Sequence, residues 1–206
     1  LDKKKLLNEK KFLIKIDKQI PNKAGLGGGS MNAASILGYF IKKKIIRINK
    51  SEIIDICELI GSDVILGLNS KNCILTSQNL IRYFPDSNKF YVLIVKPNYG
   101  CDTKIIYSKV KRFNKPKLNN PNKKMFNSNF LKKMDNSLEM VAFLKYPNLR
   151  YIKVYLETLF KPIFVRMTGS GSAIISYYKS KKRCESAKKM FSKKYKNYWC
   201  IVSKTI

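Results

Sequence analysis

The residues with the plainest chemical purpose occupy positions 21–34, Pro-Asn-Lys-Ala-Gly-Leu-Gly-Gly-Gly-Ser-Met-Asn-Ala-Ala. Ala24, Gly25, Gly27, Gly28 and Gly29 carry little or no side chain, so their backbone N–H groups can approach a ligand closely. After Ser30, the apolar residues Ala33, Ile36, Leu37, Phe40 and Ile41 recur at helical spacing. This predicts a helix over residues 30–43, with Ser30 as its cap or as a hydroxyl ligand to a phosphate or a metal ion. A helix start leaves its first N–H donors unpaired and carries partial positive charge, which makes a glycine loop leading into a helix an anion site. A flexible hinge is the plainer alternative, but it would not need glycine at four of the five positions from 25 to 29. The run lacks the Gly-Lys-Ser/Thr of a Walker loop and the GxGxxG of a dinucleotide fingerprint.

Two other stretches can do chemistry. Gly61-Ser62-Asp63-Val64 places one carboxylate just past a helix stop, where an aspartate serves as readily as a turn former or cap. Thr168-Gly169-Ser170-Gly171 lies between strand-like runs at 163–166 and 174–178, and its glycines fit a hairpin turn or a second small-residue loop. Some chemistry is excluded. There is no histidine, and Cys57, Cys73, Cys101, Cys184 and Cys200 show no CxxC spacing. A zinc site and a Cys-His or Ser-His pair are therefore ruled out as readings of this segment, and reduced thiols are expected.

The glycine run resembles the second motif of the GHMP kinase superfamily, whose members include galactokinase, homoserine kinase and mevalonate kinase. Its triple glycine followed by Ser-x-Asn-Ala-Ala is most similar to the members that phosphorylate 4-diphosphocytidyl-2-C-methyl-D-erythritol in the non-mevalonate isoprenoid pathway. The resemblance implies ATP as phosphoryl donor, with Mg2+ assisting and no metal-binding side chains assigned. It implies that Pro21, Asn22, Lys23, Ala24, Gly25, Leu26, Gly27, Gly28, Gly29, Ser30 and Met31 form the ATP-phosphate loop. It also implies that Asp63, matching the aspartate of a Gly-Ala-Asp-Val-Pro stretch, is the catalytic base, and that Thr168, Gly169, Ser170 and Gly171 form the third motif. The segment Lys96-Pro97 to Thr103 and the segment 135–139 resemble further stretches of the family. Lys23, Met31, Ser62 and Ile65 depart from the pattern: Met31 and Ile65 stand where serine and proline are usual.

The fold implied is α+β: an incomplete N-terminal part like the second domain of ribosomal protein S5 over residues 1–86, which binds ATP, and a C-terminal ferredoxin-like sandwich over 87–206, with the site in the cleft between them. The family places a lysine beside the aspartate and aromatic residues around the cytidine near its N-terminus, and these are not found here. The segment is therefore expected to be an N-terminally truncated fragment, inactive or nearly so alone. Around the loops, alternation at 11–16 predicts a strand and residues 51–60 a helix capped by Ser51, with Ile53, Ile54, Cys57 and Ile60 inside. Strands are expected at 72–76, 80–84, 89–95 and 198–203. Helices are expected at 103–110 with Thr103 as cap, after Pro147, and at 183–191. Residues 113–128, rich in Asn, Lys and Pro, read as an exposed, disordered loop.

The net charge of +29 taken alone suggests nucleic acid. Only six of the 42 basic residues are arginine, however, and the lysines are spread along the whole chain, which is a compositional bias and not a reading surface. The expected partner is thus a small molecule, with neither nucleic acid nor membrane, and the protein a monomer or homodimer in the cytoplasm, or in a plastid stroma if the source is eukaryotic. The rivals are another GHMP kinase, acting on a sugar alcohol or homoserine, and a lysine-rich RNA-binding domain. The RNA reading requires a salt-sensitive RNA affinity indifferent to ATP and to mutation of the glycine loop. Titration with labelled RNA at two salt concentrations, with and without ATP, is expected to show no such affinity.

Overall fold

Hydrophobic periodicity builds two sets of elements, seen in a computed structural model that describes all residues except 2, 3, 5, 8, 9, 79, 85–87 and 112–114. The chain divides into two compact units, one of Leu1–Ile20 with Gly27–Ser70, the other of Pro21–Leu26 with Lys71–Ile206. Among the described residues no helix is long and apolar enough to cross a membrane.

In the first unit, helix α1 spans Gly28–Lys42 and α2 spans Lys50–Ile60. Ala34, Leu37 and Phe40 of α1 pack with Ile46, with Ile56 and Cys57 of α2, and with Val64. Each fully buried aliphatic or aromatic side chain of this kind stabilises by about 1.5–3 kcal/mol. Asn49, not Ser51, caps α2: its side chain accepts from the Glu52 N–H while the Glu52 carboxylate accepts from the Asn49 N–H, a reciprocal capping box. The helix thus starts earlier than expected; of the expected inner face Cys57 is buried and Ile53 packs on the core, while Ile56 is buried as well and Ile60 is 53% exposed. Residues 11–16 form no strand among the described residues. The alternation survives in burial, with Leu13 99% exposed against 40% for Phe12, whose ring packs on Phe40 at 4.7 Å. A strand is defined by a ladder partner, and none pairs with this stretch among the described residues.

The second unit holds a two-stranded ribbon, β1 Asn72–Leu75 with β2 Ile81–Phe84, and a four-stranded antiparallel sheet. The sheet strands are β3 Tyr91–Lys96, β4 Phe164–Met167, β5 Ile174–Tyr178 and β6 Trp199–Lys204, in the order β4-β5-β3-β6. Helices α3 Thr103–Ser108, α4 Ser128–Lys133, α5 Glu139–Lys145 and α6 Asn148–Thr158 lie between β3 and β4, and α7 Lys181–Lys194 lies between β5 and β6. This βαββαβ order with β3 and β5 central is the ferredoxin-like arrangement. Leu149, Ile152 and Leu156 of α6 and Cys184, Ala187 and Phe191 of α7 pack with Leu93 and Val95 of β3 and Ile174 of β5. Asp102 caps α3 by accepting from the Ile105 N–H, leaving the Thr103 hydroxyl free for another bond. Residues 123–126 form a 3-10 turn and α4 follows, so the polar 113–128 stretch is more ordered than its composition suggests, although Phe113 and Asn114 lie outside the described residues.

Burial pushes the Cys101 and Cys184 thiols up to about 11 from an ordinary value of 9.0. The neighbouring Lys96 opposes the shift at Cys101, and Glu185 adds to it at Cys184. A thiol raised in the folded state adds stability that is intact below its unfolded value and lost as pH climbs through the folded one. Folding stability is therefore expected to fall between pH 9 and about 11, as followed by denaturant titration. At pH 8, alkylation should reach the partly exposed Cys73 and Cys200 first and modify Cys101 and Cys184 only on unfolding.

Candidate functional site

The glycine run forms a left-handed bend followed at once by a helix. Gly27, at φ 65°, is the N-cap of α1, and the helix begins at Gly28. Ser30 is therefore the third residue inside the helix and not its cap. No side chain caps the first turn, so the leading N–H groups of α1 have no protein partner of the usual kind. The surface beside these residues is open: a Cβ built at Gly27, Gly28 or Gly29 meets nothing within 4 Å. Gly27 needs its backbone freedom, but Gly28 and Gly29 adopt ordinary helical geometry that alanine would serve better. Their bareness satisfies no demand of the chain's own packing, and it leaves a cradle of donors suited to a phosphate.

Asp63 belongs to the same unit as this helix. The turn after Gly61, whose carbonyl accepts from the Val64 N–H at 3.0 Å, leads into a 3-10 helix at Ile65–Leu68. Val64 is completely buried and anchors the turn, while Gly67 lies so close to α1 that a Cβ there would come within 2.7 Å of the Ala34 Cβ and 2.8 Å of the Met31 Sδ. The Met31 thioether fills a packing position where the resemblance expected a hydroxyl. Ile65, standing where the resemblance expected proline, opens the 3-10 helix, and the backbone beside Asp63 is held by packing. The Asp63 side chain itself is exposed.

The first half of the glycine run, Pro21–Leu26, is built into the second unit, against the hairpin that joins β4 to β5. The Ser172 N–H donates to the Lys23 carbonyl at 3.3 Å, the Ala173 N–H to the Ala24 carbonyl at 3.0 Å, and the Thr168 hydroxyl to the Gly25 carbonyl at 3.0 Å. Gly25 sits at φ 68°, where a Cβ would stand 2.3 Å from the Thr168 carbonyl oxygen. Gly169 and Gly171 also have positive φ. The Ser170 hydroxyl, 6% exposed, pairs with the Thr103 hydroxyl at 2.8 Å.

Two residues of the segment 135–139, to which sequence reasoning assigned no role, hold the other side of this hairpin. The Asn136 amide donates to the Met167 and Gly169 carbonyls, at 2.9 and 2.8 Å. The Glu139 carboxylate accepts from the Met167 N–H at 2.8 Å and from Lys153 at 2.5 Å. Arg166 donates to the Leu131 and Met134 carbonyls, and burial lowers its pKa. A cavity of about 640 Å³ opens beside Thr168 and Gly169, lined also by Tyr107, Asn136, Ser137 and Arg166. That volume is within the range of small-molecule sites. Among the described residues no group of three or more Cys, Asp or Glu side chains could hold a metal ion.

A model of the GHMP kinases N terminal domain matches residues 2–74. A curated 4-diphosphocytidyl-2-C-methyl-D-erythritol kinase from Pelagibacter ubique is 54% identical over the full chain, which covers 73% of that relative. One of the same name from Clostridium tetani is 31% identical over 94% of this chain and 70% of its own length. Among solved structures, a 4-(cytidine 5'-diphospho)-2C-methyl-D-erythritol kinase superposes with TM-score 0.73 at 21% identity, over 90% of this chain and 68% of the other. A homoserine kinase from Cytophaga hutchinsonii gives TM-score 0.68 at 13% identity, over 92% and 68%. These two share the fold. Because the identity to the Pelagibacter relative runs from one end of the chain to the other, the likeness extends well beyond one borrowed module: the chain belongs to the 4-diphosphocytidyl-2-C-methyl-D-erythritol kinase family of GHMP kinases.

Proposed function

We propose that this chain serves the ATP-dependent phosphorylation of the 2-hydroxyl of 4-diphosphocytidyl-2-C-methyl-D-erythritol, in the non-mevalonate route to isoprenoids. The observation that carries the reading is the head of α1, where Gly28 and Gly29 leave donors bare and space open with no structural need for either. Family membership supplies the substrate, since the relatives named above carry that name along the full length of the match.

Phosphoryl transfer asks a protein mainly for positioning and for stabilisation of spreading negative charge. Loop N–H groups from Ala24 to Ser30 hold the β- and γ-phosphates of ATP. Lys23 adds a positive charge to the loop, while Pro21, Asn22, Leu26 and Met31 shape it. Asp63 orients the acceptor hydroxyl and takes its proton as the new O–P bond forms and the ADP oxygen leaves. Thr168, Gly169, Ser170 and Gly171 are the counterpart of the superfamily's third motif. Mg2+ carried in with ATP would supply neutralisation of the phosphate charge. On this reading residues 1–86 are the ATP-binding domain and 87–206 the C-terminal domain.

Gly28→Ala should separate stability from function. Alanine in place of glycine inside a helix adds up to about 1 kcal/mol of stability, yet the new methyl intrudes on the phosphate and should weaken MgATP binding by roughly tenfold or more. Calorimetric titration and denaturant melts of the same variant measure both. Undiminished ATP affinity would sink the cradle. In a chain that also carries the family's N-terminal lysine segment, Asp63→Asn should leave ATP affinity alone and cut acceptor-dependent ADP release by roughly 100-fold or more. A similar loss with Asn at some other exposed aspartate, such as Asp17, would remove Asp63 from the reaction.

A further inference from the structure

Lys96, the last residue of β3, is 4% exposed. No carboxylate lies within salt-bridge distance of it among the described residues. Its ammonium donates instead to two backbone carbonyls, those of Pro97 at 2.9 Å and Tyr99 at 2.8 Å. Burying a charged group without a counter-ion is costly, and methionine would fill the same space without that penalty. The arrangement around the Tyr99 carbonyl suggests what the charge does there. That oxygen also accepts from the Ser172 hydroxyl at 2.7 Å, so one acceptor joins Lys96 to the β4–β5 hairpin. Ser172, fully buried, donates its own N–H to the Lys23 carbonyl. Next in the chain, Gly100 presses on Lys23, whose Cβ lies 2.3 Å from where a Gly100 Cβ would stand. Two routes from the Lys96 ammonium thus converge on Lys23: through Ser172, and through the turn that carries Gly100.

We infer that Lys96 is a positioning residue for the phosphate loop: its buried ammonium pins the Tyr99 carbonyl, and through Ser172 and Gly100 that pin fixes the backbone of Lys23 and Ala24. This deepens the kinase reading and rests on it where nucleotide is concerned, but the clamp itself is a property of the folded chain. A lysine serving stability alone would lower the melting temperature and leave nucleotide affinity, measured well below melting, unmoved.

The test compares the parent chain with Lys96→Met, Ser172→Ala and the double variant. Two quantities are read: amide hydrogen exchange at Ser172 and Ala173 without nucleotide, and the dissociation constant for the magnesium complex of a non-hydrolysable ATP analogue. Lys96→Met should speed exchange at both amides and weaken the analogue, each by roughly tenfold, as expected for loss of a charge-assisted buried hydrogen bond. Exchange in α6 and α7 should stay unchanged. Because the two side chains share one acceptor, the double variant should fall short of the product of the single effects. If Lys96→Met does not fold, Ser172→Ala decides on the same two readings. Unchanged protection at Ser172 and Ala173 would overturn the clamp. Faster exchange with unchanged analogue affinity would overturn its link to the nucleotide. If the parent chain itself fails to bind the analogue, the kinase reading falls, while the exchange data still decide the clamp.

Discussion

Three hydrogen bonds between main-chain segments far apart in sequence carry the organisation of the second unit. Lys23, Ala24 and Gly25 give their carbonyls to Ser172, Ala173 and Thr168, and so a six-residue piece from the start of the chain becomes part of a hairpin near its end. With those carbonyls engaged, the adjoining backbone loses the freedom that glycine would otherwise give it. On the proposed reading, a glycine-rich loop left free would lose that freedom on binding, and the entropy of ordering it would weaken its grip on a phosphate. Docked on the hairpin, much of that ordering is already complete.

The hairpin can serve as an anchor because it is held from behind. Asn136 and Glu139 engage the backbone of Met167 and Gly169, and β4 and β5 are registered against each other from Phe164–Tyr177 to Met167–Ile174. Behind the sheet, α6 and α7 bury a continuous apolar face that includes Leu149, Ile152, Leu156, Ala187 and Phe191. Polar side chains thus aim the loop, and apolar packing supplies the rigidity that gives the aim its value. The first unit uses the same division of labour on a smaller scale: Val64 and Gly67 pack against the core and α1, and Asp63, beside them, remains in solvent.

Glycine means different things along one short run. Gly25 is required by close approach and by a left-handed backbone, and Gly27 by the left-handed backbone alone. Gly28 and Gly29 are required by neither. This distinction separates residues that build the loop from residues that leave it open. The lysine-rich composition has no comparable structural counterpart. Among the described residues few lysine–acid pairs form, and Lys96 stands apart from the other described lysines because it is buried.

The sequence alone determined what depends on local pattern: the glycine run and the helix behind it, and the succession of strands and helices from residue 89 onward that builds the βαββαβ order. These follow from side-chain size and periodicity, which act over a few residues. It misplaced caps at Ser51 and Thr103, because a cap depends on which of several adjacent polar side chains reaches an N–H, and Asn49 and Asp102 reach them. It expected a strand at 11–16, where alternation is present but no ladder partner is found among the described residues. Only the tertiary structure decided that Pro21–Leu26 joins the β4–β5 hairpin, and that Asn136, Glu139 and Lys96 aim that hairpin and the turn beside it. Those partners are tens of residues apart, and the chain must close a long loop before they can meet, so no local pattern records them.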